Sequence, residues 1–174
     1  MLPAVAISGS PSRDSRSRRL LAHASARLDA VGLRTTAIDL CDLPADDLLG
    51  RARSNAVVSA LDALAGASLV IVGTPVYRAT YSGLLKVFFD LFASDALAGK
   101  VGVCIATGGS LAHQLVIDHA LRPLLASVGA LVVPTGIYGT DAQFGPDGPA
   151  QDLLARVDRA ITEALALAPP LAKE

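Results

Sequence analysis

Residues 8–17 read Ser8-Gly9-Ser10-Pro11-Ser12-Arg13-Asp14-Ser15-Arg16-Ser17, and they follow the apolar run at residues 3–7. Leucines at helical spacing begin directly after them, so we predict a buried strand, a loop of small hydroxyl residues and arginines, and then a helix. The first turn of a helix presents N–H groups without acceptors and a partial positive charge. This arrangement predicts a site for an anion such as phosphate.

Side chains in this loop can supply further donors to an anion. Hydroxyl donors are Ser10, Ser12, Ser15 and Ser17, while Gly9 lets the backbone come close to a ligand. Arginines 13 and 16 add positive charge. The patterns G-x-G-x-x-G and G-x-x-x-x-G-K-[ST] are absent from the sequence, which excludes the dinucleotide fingerprint and the P-loop of nucleotide hydrolases. The alternative is that Ser15 or Ser17 only caps the helix.

Composition predicts one domain without a membrane or nucleic-acid role. At 174 residues the chain is long enough for a buried core. Its formal net charge of −1 provides no general attraction to nucleic acids or anionic membranes. No apolar run approaches the about 18 residues that span a bilayer, and the first residues show no secretory signal. Cys41 and Cys104 are isolated, which indicates a reducing compartment such as the cytoplasm, and they form no metal-ligand pattern with the histidines.

The rest of the chain alternates between strand and helix patterns. We predict strands at 3–8, 33–40, 68–73, 100–106 and 130–134, and helices at 17–31, 55–65, 83–92, 112–128 and 150–167. Right-handed crossovers between them predict an α/β fold of three layers, a five-stranded parallel sheet of order 2-1-3-4-5 with helices on both faces. We expect residues 1–174 to form one domain that ends in a frayed tail at 168–174. Ligands of such sheets bind at the carboxyl ends of the strands.

The helix predicted at 83–92 is apolar nearly all round, with Leu84, Leu85, Val87, Phe88, Phe89, Leu91 and Phe92. A helix of this kind is buried on more than one side. We therefore expect a homodimer or homotetramer in which a second subunit covers part of this helix.

Two further loops follow strands of the predicted sheet. The loop at 74–82 contains Pro75 and two of the three tyrosines, which can form one wall for a flat aromatic ligand. The loop at 107–113 contains the pair Gly108-Gly109, whose N–H groups can approach a ligand closely. Such donors would stabilise the negative charge that a reduced flavin carries near N1 and O2. Each loop alone could be an ordinary turn, but with the phosphate loop they predict flavin mononucleotide, FMN.

These motifs resemble those of the NAD(P)H-dependent FMN reductases with a flavodoxin-like fold. The resemblance runs from the first strand to about residue 144 and is nearest to the reductase components of bacterial alkanesulfonate-utilisation systems. It rests on Gly9-Ser10 with Ser15 and Ser17, on Pro75-x-Tyr77 with Ser82-Gly83-x-Leu85-Lys86-x-x-x-Asp90, and on Thr107-Gly108-Gly109.

The resemblance implies hydride transfer from NADPH or NADH to FMN and delivery of the reduced flavin to a separate monooxygenase. It implies that the phosphate is held by Ser10, Ser15, Arg16 and Ser17. It also implies that the flavin ring is flanked by Pro75, Val76, Tyr77, Thr107, Gly108 and Gly109. From the same loops we add three candidate FMN-binding residues, Arg13, Arg78 and Ser110. No catalytic side chain is assigned, because the flavin itself accepts the hydride.

The chain departs from these reductases at two positions. Many of them have an arginine where this chain has Ser12, and some sulfonate-linked members have a tyrosine where it has His119. Lys86 and Asp90 match, but they lie four residues apart on a helix and are interpreted as a structural ion pair.

Two other functions stay open. A flavodoxin-type electron carrier would bind FMN without using NAD(P)H. Such carriers are strongly acidic and clamp the ring between aromatic side chains, whereas this chain is near neutral and has no tryptophan. An FMN-bound quinone, azo or metal-ion reductase would use the same site and differ only in its acceptor.

Pro123 lies inside the helix predicted at 112–128. Proline has no N–H and crowds the carbonyl four residues earlier, which belongs to His119. We therefore expect a kinked or widened turn around His119, a feature that often marks functional sites. Two interpretations of this histidine stay open: a side chain satisfied locally or by solvent, and one that sets a subunit contact and, through it, how firmly FMN is held.

Overall fold

The computed structural model describes residues 3–168, so residues 169–174 of the predicted frayed tail lie outside the described residues. Nine strands alternate with helices along this part of the chain. The strands are β1 (Ala4–Ser8), β2 (Thr35–Asp39), β3 (Leu69–Tyr77), β4 (Thr80–Tyr81), β5 (Val101–Gly108), β6 (Leu131–Val132), β7 (Ile137–Thr140), β8 (Phe144–Gly145) and β9 (Gly148–Pro149). The α-helices are α1 (Arg16–Asp29), α2 (Ala45–Leu48), α3 (Asn55–Gly66), α4 (Gly83–Phe89), α5 (Arg122–Ser127) and α6 (Gln151–Leu167).

The main sheet has the order β2-β1-β3-β5-β6, which is the predicted flavodoxin-like order. Its neighbouring strands along this path are parallel. Seven strands rather than five belong to it, because β4 pairs antiparallel with β3 and β7 pairs parallel with β5. The short hairpin β8-β9 forms a separate sheet.

Two short strands, β6 and β7, pair with β5 where one strand was predicted. β6 pairs with the start of β5, and β7 pairs with its end, where Gly108 is opposite Thr140. Pro134 lies between them, and a proline has no N–H to donate to a sheet. The prediction of one strand at 130–134 missed β7 and everything that follows it at the ligand-binding edge.

Helices cover both faces of the sheet. One buried cluster lies between the sheet and helices α1 and α6, and the other lies under α3, α4 and α5. The close packing of α1 is visible at Gly73, where a Cβ would stand 2.6 Å from Leu21 Cδ1. Most of the apolar residues of α4 are covered within the chain: Leu85, Phe88 and Phe89 are buried, and the Phe88 and Phe92 rings meet edge to face at 5.3 Å.

The helix predicted at 112–128 is divided into three parts. A 3₁₀ turn covers Leu111–His113, a π-helical turn covers Ile117–Leu121, and α5 follows. Arg122 donates its N–H to the carbonyl of Ile117, five residues earlier. Pro123 removes the donor that His119 would otherwise receive, so the widened turn around His119 is confirmed.

Candidate functional site

A cavity of about 570 Å³ lies at the carboxyl ends of β1, β3 and β5. The loops after these three strands converge on it, as expected for a ligand site of a parallel α/β sheet. A groove of about 680 Å³ lies elsewhere, along the sheet edge at β7, but none of the predicted site residues lines it. The smaller cavity is therefore the candidate site.

The cavity brings together nine of the predicted site residues: Ser10, Ser15, Arg16, Pro75, Val76, Tyr77, Thr107, Gly108 and Gly109. The other four lie outside its lining. Arg13 forms an ion pair with Asp42 instead. Arg78 is exposed in the turn after β3, and the exposed Ser110 caps the 3₁₀ turn that follows β5.

Ser17 is fully buried behind the cavity lining. Its hydroxyl lies 3.3 Å from the Ser15 hydroxyl. Ser15 is the N-cap of α1, and its Oγ accepts a hydrogen bond from the Arg18 N–H at 3.2 Å. Ser15 thus caps the helix, as that alternative expects, but a capping hydroxyl still has a proton to donate. Ser15 can therefore cap the helix and face an anion at once.

The positive charge of this loop is compensated throughout. Each of the four arginines in the loop and the first turn of α1 has an aspartate partner: Arg13 with Asp42, Arg16 with Asp141, Arg18 with Asp39, and Arg19 with Asp14. Two of these pairs, Arg16–Asp141 and Arg19–Asp14, line the cavity. An anion entering this end meets hydroxyls and helix N–H groups directly, whereas the arginines must exchange partners to reach it.

Buried hydroxyl groups tie the phosphate loop to the loop after β3. Ser82 caps α4 by accepting from the Leu85 N–H at 3.1 Å, and its own hydroxyl donates to the Gly9 carbonyl. The Ser82 N–H in turn donates to Thr74 Oγ1 at 3.0 Å. Gly9 must be a glycine here, since a Cβ would stand 2.9 Å from Leu85 Cβ. This network fixes the spacing between the two ends of the cavity.

The hairpin of β3 and β4 forms one wall of the cavity. Val76 pairs with Tyr81, and Tyr77 pairs with Thr80, so only two residues form the turn. These are Arg78 and Ala79, with φ of 52° and 66°. Two-residue hairpin turns of this shape prefer Asn-Gly, and residues with a Cβ are strained there.

The glycine loop after β5 forms the facing wall. Gly108 is buried, and a Cβ on it would stand 2.5 Å from the Tyr138 hydroxyl and 3.3 Å from Val76 Cβ. That hydroxyl donates to the Ser110 carbonyl at 2.6 Å. Burial, and after it the charge of Asp141, raises the pKa of Tyr138. Gly108 is therefore a steric requirement of this wall.

Sequence reasoning missed four residues that line the cavity, Asp14, Arg19, Asp141 and Phe144, and named Ser12 only as a hydroxyl donor of the loop. Asp14 lies in the loop that was singled out and Arg19 in the first turn of α1, but neither side chain was assigned a role. Asp141 and Phe144 follow β7, which was not predicted. The residues Ile137-Tyr138-Gly139-Thr140 include a β-branched and an aromatic residue typical of a strand, and this signal could have placed Asp141 at a strand end.

Within residues 3–168, no helix is both long and apolar enough to cross a bilayer. The same part of the chain has no group of three or more His, Cys, Asp or Glu side chains that could hold a metal ion.

A family model described as NADPH-dependent FMN reductase matches residues 3–145. An FMN reductase (NADPH) of Pseudomonas putida is 43% identical over 140 residues, which cover 80% of this chain and 71% of that protein. The NADH-dependent FMN reductase SfnF of Pseudomonas fluorescens is 41% identical over 150 residues, covering 82% of this chain and 79% of that protein.

Solved structures show the same fold. The apo form of an NADH:FMN oxidoreductase (EMOB) superposes with a TM-score of 0.89 at 39% identity, over 98% of this chain and 92% of that one. A flavodoxin from the domain Archaea superposes with a TM-score of 0.68 at 14% identity, covering 95% of this chain and 99% of that one, and this likeness concerns the fold alone.

Proposed function

The chain belongs to the NADPH-dependent FMN reductase family and is a flavin reductase that uses NADPH or NADH with FMN; from this premise we propose that the cavity at the ends of β1, β3 and β5 binds the FMN and that the reduced flavin passes to a partner monooxygenase. The observation that carries the first proposal is the convergence of three strand-end loops on a single cavity. Its volume of about 570 Å³ lies within the range of small-molecule sites.

The donors at one end of the cavity suit the flavin phosphate. Ser10 and Ser15 carry hydroxyls there, and the first N–H groups of α1 have no acceptor within the helix. Arg16 adds a charge-assisted contact once it leaves Asp141. Ser17 does not line the cavity, but its hydroxyl contacts that of Ser15, which is compatible with a supporting role.

The other end suits a flat ring. The hairpin supplies Pro75, Val76 and Tyr77 to the lining, and the loop after β5 supplies Thr107, Gly108 and Gly109. When bound, the flavin supplies the hydride acceptor, so the protein needs no acid or base of its own. We assign the chain the tasks of binding the phosphate, orienting the ring and leaving one face open to the nicotinamide.

NAD(P)H oxidation measured with and without added free FMN tests this function. A flavin-delivering reductase requires or strongly prefers the free flavin and turns over NADPH or NADH. An electron carrier shows no activity in either condition, and a quinone, azo or metal-ion reductase with tightly held FMN turns over only when its acceptor is added. Flavin content after purification separates an exchanging substrate from a prosthetic group.

Delivery to a monooxygenase is supported by the sequence resemblance to the reductases of alkanesulfonate-utilisation systems and by the compensated, exchangeable charges at the phosphate end. Without oxygen and with excess NADPH, we expect a catalytic amount of the protein to reduce all of the added FMN. The loss of the oxidised flavin's absorbance at about 450 nm measures this reduction. Bleaching limited to one flavin per protein chain would contradict release of the product.

We also propose that the protein works as a homodimer or homotetramer. Leu84, Val87, Leu91 and Phe92 are only half-buried in the chain, and the exposed Leu111 and Leu115 flank the widened turn. His119 is exposed on this turn, where a subunit contact can reach it. Light scattering checks the mass, and His119→Ala, followed by mass, FMN affinity and turnover, checks the histidine. Three unchanged values would leave His119 as a solvated side chain.

We further propose that residues 3–168 form one domain and that the protein works in the cytoplasm. Both helical layers pack on the same sheet, which supports one domain. Cys41 and Cys104 are both free thiols, which is compatible with a reducing compartment.

A further inference from the structure

Asp141 lies at the edge of the cavity. It begins a 3₁₀ turn directly after β7, and Thr140 with Gln143 forms a capping box on that turn. The pairing of Thr140 with Gly108 places Asp141 beside the glycine loop. Its Oδ2 would lie 3.8 Å from a Cβ on Gly109. The backbone therefore places Asp141 at the edge of the cavity, within reach of residues that line it.

The Asp141 carboxylate binds the guanidinium of Arg16, which is 125 residues away in the chain. Arg16 is the first residue of α1 and lines the same cavity. The two side chains are 46% and 47% exposed. Exposed ion pairs are weak, so a better anion can take Arg16 from Asp141.

A phosphate monoester is such an anion. It carries about −1.5 to −2 charges near neutral pH and three acceptor oxygens, against one charge and two oxygens for a carboxylate. The N-terminus of α1 and the Ser10 and Ser15 hydroxyls supply further donors to a phosphate in the cavity. Once displaced, Asp141 stays close to the phosphate and repels it.

We propose that Asp141 is an internal competitor of the flavin phosphate for Arg16, and that it sets how fast FMN leaves the site. This inference rests on the proposed binding of FMN in the cavity. Asp141 lowers the affinity for FMN in two ways, by occupying Arg16 before binding and by repelling the phosphate after it. Riboflavin has no phosphate and does not engage Arg16, so its affinity is independent of Asp141. A reductase that must release its flavin gains from such a competitor.

The variant Asp141→Asn tests the proposal. Asparagine keeps the size of the side chain and an oxygen for Arg16, but it removes the charge. We expect FMN to bind up to about fivefold more tightly and to dissociate more slowly by a similar factor, as for loss of one exposed charge interaction. Riboflavin affinity should stay unchanged. Flavin fluorescence titration gives the affinities, and stopped-flow displacement of FMN gives the dissociation rate.

Asp42→Asn is the matched control. Asp42 also pairs with an arginine of the loop, Arg13, and has a similar side-chain exposure of 39%, but neither residue lines the cavity. It should change neither affinity. In an Arg16→Ala background, Asp141→Asn should produce a smaller gain, because only the repulsion is left to remove.

Other outcomes contradict the proposal. Unchanged or weaker FMN binding in Asp141→Asn would show that the ion pair only holds the loop in place. Equal tightening of FMN and riboflavin would show that Asp141 does not act on the phosphate. Absence of FMN binding by the wild-type protein would instead contradict the proposed function itself, so the two failures are distinguishable.

Discussion

The two ends of the cavity are built from different interactions. At the phosphate end, hydroxyls, helix N–H groups and arginines in exposed ion pairs face the space. At the ring end, the wall positions are set by steric contact and backbone conformation, as at Gly108 and at the strained turn Arg78-Ala79. Polar contacts of the first kind exchange readily, whereas a shape of the second kind exists before the ligand arrives. In the proposed binding of FMN, phosphate recognition is thus adjustable by charge, and ring recognition by shape.

The buried hydroxyl network joins these two ends. Thr74, Ser82 and the Gly9 carbonyl are linked across the ends of β1 and β3. Because both ends belong to one connected structure, the changes in flavin affinity caused by substitutions at the two ends can be compared directly. FMN and riboflavin are the two ligands that separate them, since only FMN carries the phosphate.

The largest effect is expected at the ring end. In Gly108→Ala the new Cβ would stand 2.5 Å from the Tyr138 hydroxyl. Overpacking of this kind lowers the free energy of unfolding by about 1–3 kcal/mol, and the displaced wall should also lower flavin affinity. FMN and riboflavin should be weakened alike, because the ring and not the phosphate meets this wall. Fluorescence titration with both flavins measures the effect. Adding Tyr138→Phe removes the clashing oxygen and should restore part of the affinity; a loss confined to FMN would contradict the division of the site.

At the phosphate end, Ser15→Ala should weaken FMN more than riboflavin, by about 1–2 kcal/mol for one lost charge-assisted hydrogen bond. The same change removes the N-cap of α1 and should lower the free energy of unfolding by about 1 kcal/mol. Urea unfolding separates the two effects, since the loss of stability applies with or without flavin. Equal weakening of FMN and riboflavin would mean that this loop does not contact the phosphate.

A smaller effect is expected from relieving the strained turn. Ala79 has a φ of 66°, so Ala79→Gly should raise the free energy of unfolding by about 0.5–1 kcal/mol, after the entropy cost of glycine is subtracted. Ala155→Gly, in the exposed middle of α6, is the control and should destabilise the protein by a similar amount. Urea unfolding measures both. A destabilised Ala79→Gly would show that the turn is not strained in solution.

The smallest effect is expected at Glu163, which does not line the cavity and therefore serves as a control for the two flavin affinities. Hydrogen bonds from the Thr135 hydroxyl and N–H hold the pKa of Glu163 below its ordinary value of 4.5. A lowered pKa in the folded state stabilises it above the unfolded pKa, and this contribution is lost as the pH falls through the folded value. Glu163→Gln should therefore reduce the fall in stability below about pH 4.5 without changing either flavin affinity. An altered FMN-to-riboflavin ratio in this variant would show that the ratio is not a local measure.

Much of the fold could be predicted from the sequence, because its signals are local or periodic. The run of apolar residues in β3 and β5 and the helical spacing in α1 and α6 determine the elements and, through right-handed crossovers, the strand order. Pro123 has a similar local effect, since its missing N–H widens the turn around His119 whatever lies beside it. That the residues of the three loops bind FMN stays a prediction.

The sequence by itself determined where the loops of the site lie, since the carboxyl ends of parallel strands share one edge of the sheet. Only the tertiary structure decided which side chains of these loops face the cavity. Arg13 pairs with Asp42, while Arg16 reaches Asp141 across 125 residues, and no local pattern distinguishes the two arginines. β7 lies beyond Pro134 and was not predicted, so Asp141, which follows it, was not placed at the site either. An exposed charged side chain turns toward its ion-pair partner, and for Arg13 and Arg16 that partner comes from a distant part of the chain.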